Sequence, residues 1–216
     1  MPSAKTRGRS WPGFSREMGE EAAMEHQEPA KKKRRRPRRR PRVQKPRPLS
    51  GNIVLCGFMG CGKSSVGRRV AKLLERQFCD LDSYIEQQAG MTVAEIFAKE
   101  GEAGFRARET QAAEEVAAQK GMVIASGGGT VLSPRNVEAF HKHGAHILFL
   151  DVPVAALQER LKNDKRRPLL QVPDRRKVIA ELYEKRVPLY RAAADITVDG
   201  GAPAVVVAKR VAALFQ

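Results

Sequence analysis

The sequence predicts an α/β fold of three layers, a parallel sheet with helices on both faces. Three observations carry that expectation. From Gly51 onward, short apolar runs alternate with amphipathic segments, and strand–helix alternation is the pattern of parallel strands joined by helical crossovers. The apolar run Ile53-Val54-Leu55-Cys56 enters the glycine-rich stretch Gly57-Phe58-Met59-Gly60-Cys61-Gly62-Lys63-Ser64. That stretch opens a segment with Val66, Val70, Leu73 and Leu74 at helical spacing. Two further clusters, Asp80 with Asp82 and Gly127-Gly128-Gly129, also end apolar runs, and open parallel sheets bind ligands at the carboxyl ends of their strands. All three should share one cleft.

The elements follow in order. Residues 1–50 hold sixteen Lys/Arg and five Asp/Glu, so they carry +11 of the chain's +16. Their run Lys31-Lys32-Lys33-Arg34-Arg35-Arg36-Pro37-Arg38-Arg39-Arg40-Pro41-Arg42 mixes repelling charge with proline. With little apolar surface to offset chain entropy, this stretch is expected to be a disordered basic arm. The domain then runs over 51–216. After the first strand, loop and helix, Gln77 to Asp82 reads as a strand ending in two carboxylates, and Ser83 to Gln88 as a helix. Thr92 and Glu95 have capping-box spacing. A helix is expected over about 102–120, a strand over Met122–Ala125, and a helix opened by Ser133-Pro134 that ends near His143. The strand His146 to Leu150 leads to a helix ending near Lys162, then to a basic, proline-containing loop over 163–174. A helix carrying Val178 to Tyr190, a strand at Ile196–Val198 and a helix over 204–215 close the chain.

The glycine-rich stretch fits the pattern G-x-x-x-x-G-K-[ST] between a strand and a helix. Glycines let backbone N–H groups converge on phosphate oxygens, and the helix points its positive end at the same anion. Lys63 then reaches the β- and γ-phosphates and the Ser64 hydroxyl joins a Mg²⁺ shell, so the chain is expected to bind a nucleoside triphosphate. Cys61 lies inside the loop; it reads either as a thiol that nucleotide shields from oxidation or as a small residue that fits.

Asp80 and Asp82 stand two apart, so on a strand both point to one side, where a cation relieves their repulsion. Beside a triphosphate one can hold Mg²⁺ through water while the other faces an acceptor hydroxyl; the alternative is a pair of turn aspartates. Arg106 and Glu109 lie on or beside the stripe Phe105, Ala112, Ala113, Val116, either as an ordinary helix ion pair or as a fork seeking an anion. Arg186 continues the stripe Ile179, Leu182, Tyr183 and so is expected to look into a cleft, the alternative being an arginine that snorkels at the stripe's edge. The triple glycine allows a close ligand approach or a plain turn. Lys165-Arg166-Arg167-Pro168 sits in a loop long enough to act as a lid carrying an arginine to the transferring phosphate; as a lone charge cluster it would be solvated surface.

No apolar run approaches the ~20 residues of a membrane span, and the three cysteines Cys56, Cys61 and Cys79 lack the paired spacing of a zinc site. They fit a reduced cytoplasmic setting. The arm reads as a dispensable extension, or as a nucleic-acid tether or import signal, since dense Arg/Lys binds phosphate backbones; a cleaved organellar peptide is disfavoured by Glu17, Glu20, Glu21, Glu25 and Glu28.

From about Asn52 to its end the chain resembles shikimate kinase. The matching landmarks are residues 57–65, Phe78-Cys79-Asp80-Leu81-Asp82, residues 96–102, Phe105-Arg106, Gly127-Gly128-Gly129, Arg167-Pro168-Leu169-Leu170 and Arg186-Val187-Pro188-Leu189-Tyr190. The resemblance implies a nucleoside monophosphate kinase-like phosphate-loop fold with a five-stranded parallel sheet and a lid at about 163–174. It implies transfer of the γ-phosphoryl group of ATP to the 3-hydroxyl of shikimate, a step toward chorismate and the aromatic amino acids. Gly60, Cys61, Gly62, Lys63, Ser64 and Ser65 would hold ATP; Ser64 and Asp80 would serve Mg²⁺. Asp82, Arg106, Gly128, Gly129 and Arg186 would bind shikimate, with Asp82 orienting the attacking hydroxyl and Arg167 contacting phosphate. The implied enzyme is a monomer. Two rivals stand beside it: a kinase of another small polyol acid such as gluconate, and a nucleic-acid-binding protein that uses the domain as a switch.

Overall fold

The computed structural model describes residues 48–164 and 170–216. Most of the basic arm and residues 165–169, with Arg167, lie outside them. Five strands form one all-parallel sheet in the order β2-β3-β1-β4-β5: β1 Ile53–Cys56, β2 Gln77–Asp80, β3 Met122–Ala125, β4 His146–Asp151 and β5 Ile196–Asp199. The central strands β1 and β3 are buried throughout, as expected of strands covered on both faces. Chain order reverses on either side of β1, which puts the phosphate loop at the crevice where β1 and β4 part.

The helices are α1 Lys63–Leu73, α2 Leu81–Ala89, α3 Val93–Ala117, α4 Pro134–Lys142, α5 Val154–Leu161, α6 Arg175–Ala193 and α7 Ala204–Ala212, with a 3₁₀ turn at Thr130–Leu132. α1 packs against α7 and the β1–β3 side of the sheet, while α3, α4 and α6 gather around the 3₁₀ turn. Asn52, at the foot of β1, ties these parts together. Its amide donates to the carbonyls of Ala117 and Gln119 and accepts from the Met122 N–H, so α3 hands directly into β3.

Four boundaries depart from the sequence reading. β2 ends at Asp80 and α2 starts at Leu81, so Asp82 lies in a first helical turn rather than at a strand end. A carboxylate there meets the positive end of the helix, which favours helix over a sixth strand residue. α3 starts at the capping box, where Thr92 and Glu95 cap each other reciprocally, and it runs through Gly101 (φ 71°, ψ −175°) to Ala117. Only glycine takes that backbone pair readily. The bidentate ion pair of Arg108 with Glu100, at 2.7 and 2.8 Å, bridges the break. α6 extends from Arg175 to Ala193, and α7 stops at Ala212. Ser133 occupies the N-cap of α4 but makes no side-chain cap bond, and Pro134 opens the helix.

Candidate active site

The phosphate loop is built by backbone conformation. Gly57, Gly60 and Gly62 all have positive φ, and Gly62 is the N-cap of α1. That helix has no side-chain cap and no acidic residue in its first turn, so its first N–H groups and positive end face the loop unopposed. Lys63 folds back over the loop, donating to the carbonyls of Gly57 (2.9 Å) and Phe58 (3.3 Å). The Ser64 hydroxyl donates to Asp80 Oδ2 at 2.5 Å. Cys61 is 2% exposed, with its sulfur close to where a β-carbon of Gly57 would stand. It fills space under the loop rather than facing ligand. Ser65 is exposed and bonded to Arg69.

A cleft of about 660 Å³ opens beside the loop and is lined by Lys63, Ser64, Asp80, Asp82, Arg106, Glu109, Gly128, Gly129 and Arg186. The carboxylates that the sequence placed on a strand therefore meet the cleft from a strand end and a helix start. Burial pushes the Asp82 carboxyl up to about 6, Asp80 and Glu109 add to the rise, and Lys63 opposes it. Gly127 makes this packing feasible. A β-carbon there would sit 2.7 Å from Asp82 Oδ1 and 2.9 Å from Glu109 Oε1, so the two oxygens are at most about 5.6 Å apart.

Arg106 donates to Glu109 Oε2 at 2.6 Å and lies against Gly129, whose β-carbon would be 2.5 Å from Nη1. Glu109 is 1% exposed, which makes this pair more than a surface ion pair. Across the cleft, Arg186 is half-buried on α6. One turn later, Tyr190 donates to the Gly128 carbonyl at 2.5 Å. Burial pushes the Tyr190 phenol up to about 12, against the pull of Arg186, so it stays a donor. The stacked rings of Phe97 and Phe105, 4.6 Å between centroids, form an apolar wall. The arrangement offers a phosphate cradle, a carboxylate facing a hydroxyl position, and two guanidinium groups for an anionic acceptor.

The family model for shikimate kinase matches residues 59–214. The chain belongs to the shikimate kinase family. The shikimate kinase of Aromatoleum aromaticum is 49% identical over 149 residues, 69% of this chain and 85% of that protein. The shikimate kinase of Acinetobacter baumannii, solved in complex with shikimate, superposes with a TM-score of 0.70 at 41% identity, covering 76% of this chain and 90% of that one. A gluconokinase from Sinorhizobium meliloti shares the fold alone, at 18% identity and a TM-score of 0.54.

Within this shikimate kinase-family domain, every described site residue expected from the sequence except Cys61 lines the cleft. Four neighbours escaped sequence reading. Gly127 looked interchangeable with its two successors. Thr130 follows the glycines with no motif of its own, and its hydroxyl donates to Glu109 Oε1 at 2.6 Å. Tyr190 had a signal, since it stands four residues after Arg186 on the same helix face. Arg160, near the end of α5, reaches back to the carbonyls of Gly60 and Cys61 at 3.4 Å, a contact that only the folded chain reveals.

Proposed function

We propose that this protein catalyses the ATP-dependent phosphorylation of shikimate at its 3-hydroxyl, within aromatic amino acid biosynthesis. The observation that carries the reading is the convergence of a phosphate loop, Asp82 and two arginines in one cleft of a shikimate kinase-family domain. The backbone N–H groups of residues 60–65 and the positive end of α1 hold the β- and γ-phosphates, and Lys63 neutralises charge on the transferring group. Arg106 and Arg186 grip the carboxylate of the acceptor, a planar anion that suits guanidinium forks. Asp82 accepts a hydrogen bond from the attacking hydroxyl and holds it in line. Arg167 on the lid, proposed over 163–174, joins Lys63 at the phosphate. Phosphoryl transfer requires little covalent help, so positioning and charge neutralisation dominate.

The donor set also suits Mg²⁺. Ser64 Oγ and Asp80 Oδ2 are hard oxygen donors already in contact at 2.5 Å. Among the described residues no group of three His, Cys, Asp or Glu forms a closed metal cage. Mg²⁺ prefers one or two protein oxygens completed by water and phosphate. Held by Ser64 and Asp80, it would supply positive charge that offsets the phosphates.

The kinase domain is assigned to residues 51–216 and the basic stretch 1–50 to an arm outside the family pattern. No described helix is long and apolar enough to cross a membrane; a monomeric, cytoplasmic enzyme is part of the proposal. An ADP-release assay with and without shikimate tests the function. Shikimate-dependent release is expected; folded protein that releases ADP only with gluconate, or with neither acid, overturns it. Removing residues 1–47 is expected to leave kcat unchanged and to lower any salt-sensitive affinity for polyanions.

A further inference from the structure

We propose that Thr130 is a positioning residue for acceptor binding: its hydroxyl occupies one oxygen of buried Glu109, commits the other to Arg106, and so holds that guanidinium in the cleft. The inference rests on the reading of Arg106 as the group that grips the acceptor carboxylate. Thr130 is fully buried, and its Oγ1 donates to Glu109 Oε1 at 2.6 Å. Glu109 Oε2 accepts from Arg106 Nη1 at 2.6 Å. The carboxylate is thus satisfied from two sides, as a buried polar group requires.

Thr130 is itself held in place. Its carbonyl accepts from the Asn136 amide at 2.8 Å, which anchors the turn to α4. The Leu132 N–H closes the same turn on the Gly129 carbonyl at 3.0 Å. The hydroxyl therefore works as a fixed peg rather than a follower of Glu109.

Arg106 has a second partner. Glu102, one turn earlier on α3, stands 3.3 Å from Nη2, and its side chain is 72% exposed. The guanidinium spans both carboxylates, Nη1 on the inner one and Nη2 on the outer one, so loosening the inner bond leaves it to the outer. With the Thr130 hydroxyl removed, Glu109 keeps a buried oxygen without a donor, the carboxylate is free to turn, and its hold on Arg106 weakens. The guanidinium then swings outward to Glu102, away from Gly129.

Steady-state kinetics of the full chain test this with Thr130→Val, which keeps shape and removes the donor, and Thr130→Ser, which keeps the donor. The valine variant is expected to raise the shikimate KM by about tenfold, the scale of one hydrogen bond to a charged group. Its ATP KM and kcat should stay within about threefold. Serine should restore the KM to within about threefold, and adding Glu102→Ala to the valine variant should lower it again. If the valine chain does not fold, Thr130→Ala takes its place. A KM unchanged in the variant, a loss confined to kcat, or serine no better than valine overturns the proposal. Arg106→Ala is measured alongside. If it raises the shikimate KM while Thr130→Val does not, the role of Thr130 alone fails; if it too leaves the KM unchanged, the reading of Arg106 fails and the proposal with it.

Discussion

Asp82→Asn is expected to yield an inactive protein that is more stable than the parent at neutral pH and no more stable in acid. Burial, with the like charges of Asp80, Glu109 and Glu86 against the single favourable charge of Lys63, lifts the Asp82 carboxyl from 3.8 to about 6. The folded chain therefore binds this proton more tightly than the unfolded chain. Between those two values, stability falls as pH rises, because only the unfolded state has released the proton. Below 3.8 both states are protonated and nothing is lost; above about 6 the full penalty is present. A shift of roughly two units at about 1.4 kcal/mol each gives an order of 3 kcal/mol. Asparagine cannot ionise and escapes that penalty. At pH 8, in chelator and without nucleotide, the variant should melt about 6 to 12 °C higher, given roughly 2–4 °C per kcal/mol for a chain of this size. At pH 4 the two melting curves should converge. The same titration should give the free enzyme's kcat/KM an acid limb near pH 6. A gain of equal size at both pH values, or none at pH 8, would refute the argument.

The three adjacent glycines should respond differently to alanine. Gly127→Ala puts a methyl 2.7 Å from Asp82 Oδ1, some 0.7 Å inside ordinary contact at 3.4 Å; displacing that carboxylate should lower kcat by about tenfold or more. Gly129→Ala strikes the Arg106 guanidinium at 2.5 Å and should chiefly raise the shikimate KM, whereas Gly128→Ala meets nothing within 4 Å and should leave the melting temperature alone. Lys63→Ala should lower kcat by roughly a thousandfold with the fold intact by circular dichroism. Arg186→Ala should raise the shikimate KM at least tenfold with a smaller effect on kcat; an unchanged KM removes it from the site.

The sheet and the donor half were legible in the sequence because they depend on local rules. Strand–helix alternation predicts parallel strands wherever crossovers are short, and Gly57–Ser64 needs only its own backbone to cradle phosphate. The acceptor half was legible as residue types but not as a network. Arg106 and Glu109 could be paired by helical spacing, yet spacing does not reveal that Glu109 is buried or that Thr130, twenty-one residues later, supplies its second donor. Asp82 shows the same limit in another way. The period-two argument aimed it correctly at the cleft for the wrong reason, since the chain had already turned into α2. The roles of individual glycines were hidden because glycine's meaning lies in what its missing β-carbon would have touched.

Several polar groups assigned to ligand already have a partner inside the protein. Lys63 bonds the loop carbonyls, Ser64 bonds Asp80, and Arg106 bonds Glu109. Such bonds keep the cleft shaped without a ligand, because a half-buried donor left without a partner is costly. Binding must then exchange bonds rather than add them. For Lys63 the exchanged partners are neutral carbonyls, and for Ser64 the partner is the Asp80 carboxylate beside it. For Arg106 the partner is a buried charge that cannot be released to water, so an acceptor carboxylate has to share the guanidinium with Glu109 rather than displace it. A guanidinium fork, with five N–H donors, can serve both at once; an ammonium with three converging donors serves two carboxylates less well. On that reading, an arginine suits position 106 better than a lysine would, and a carboxylate held from behind by Thr130 suits it as the inner partner.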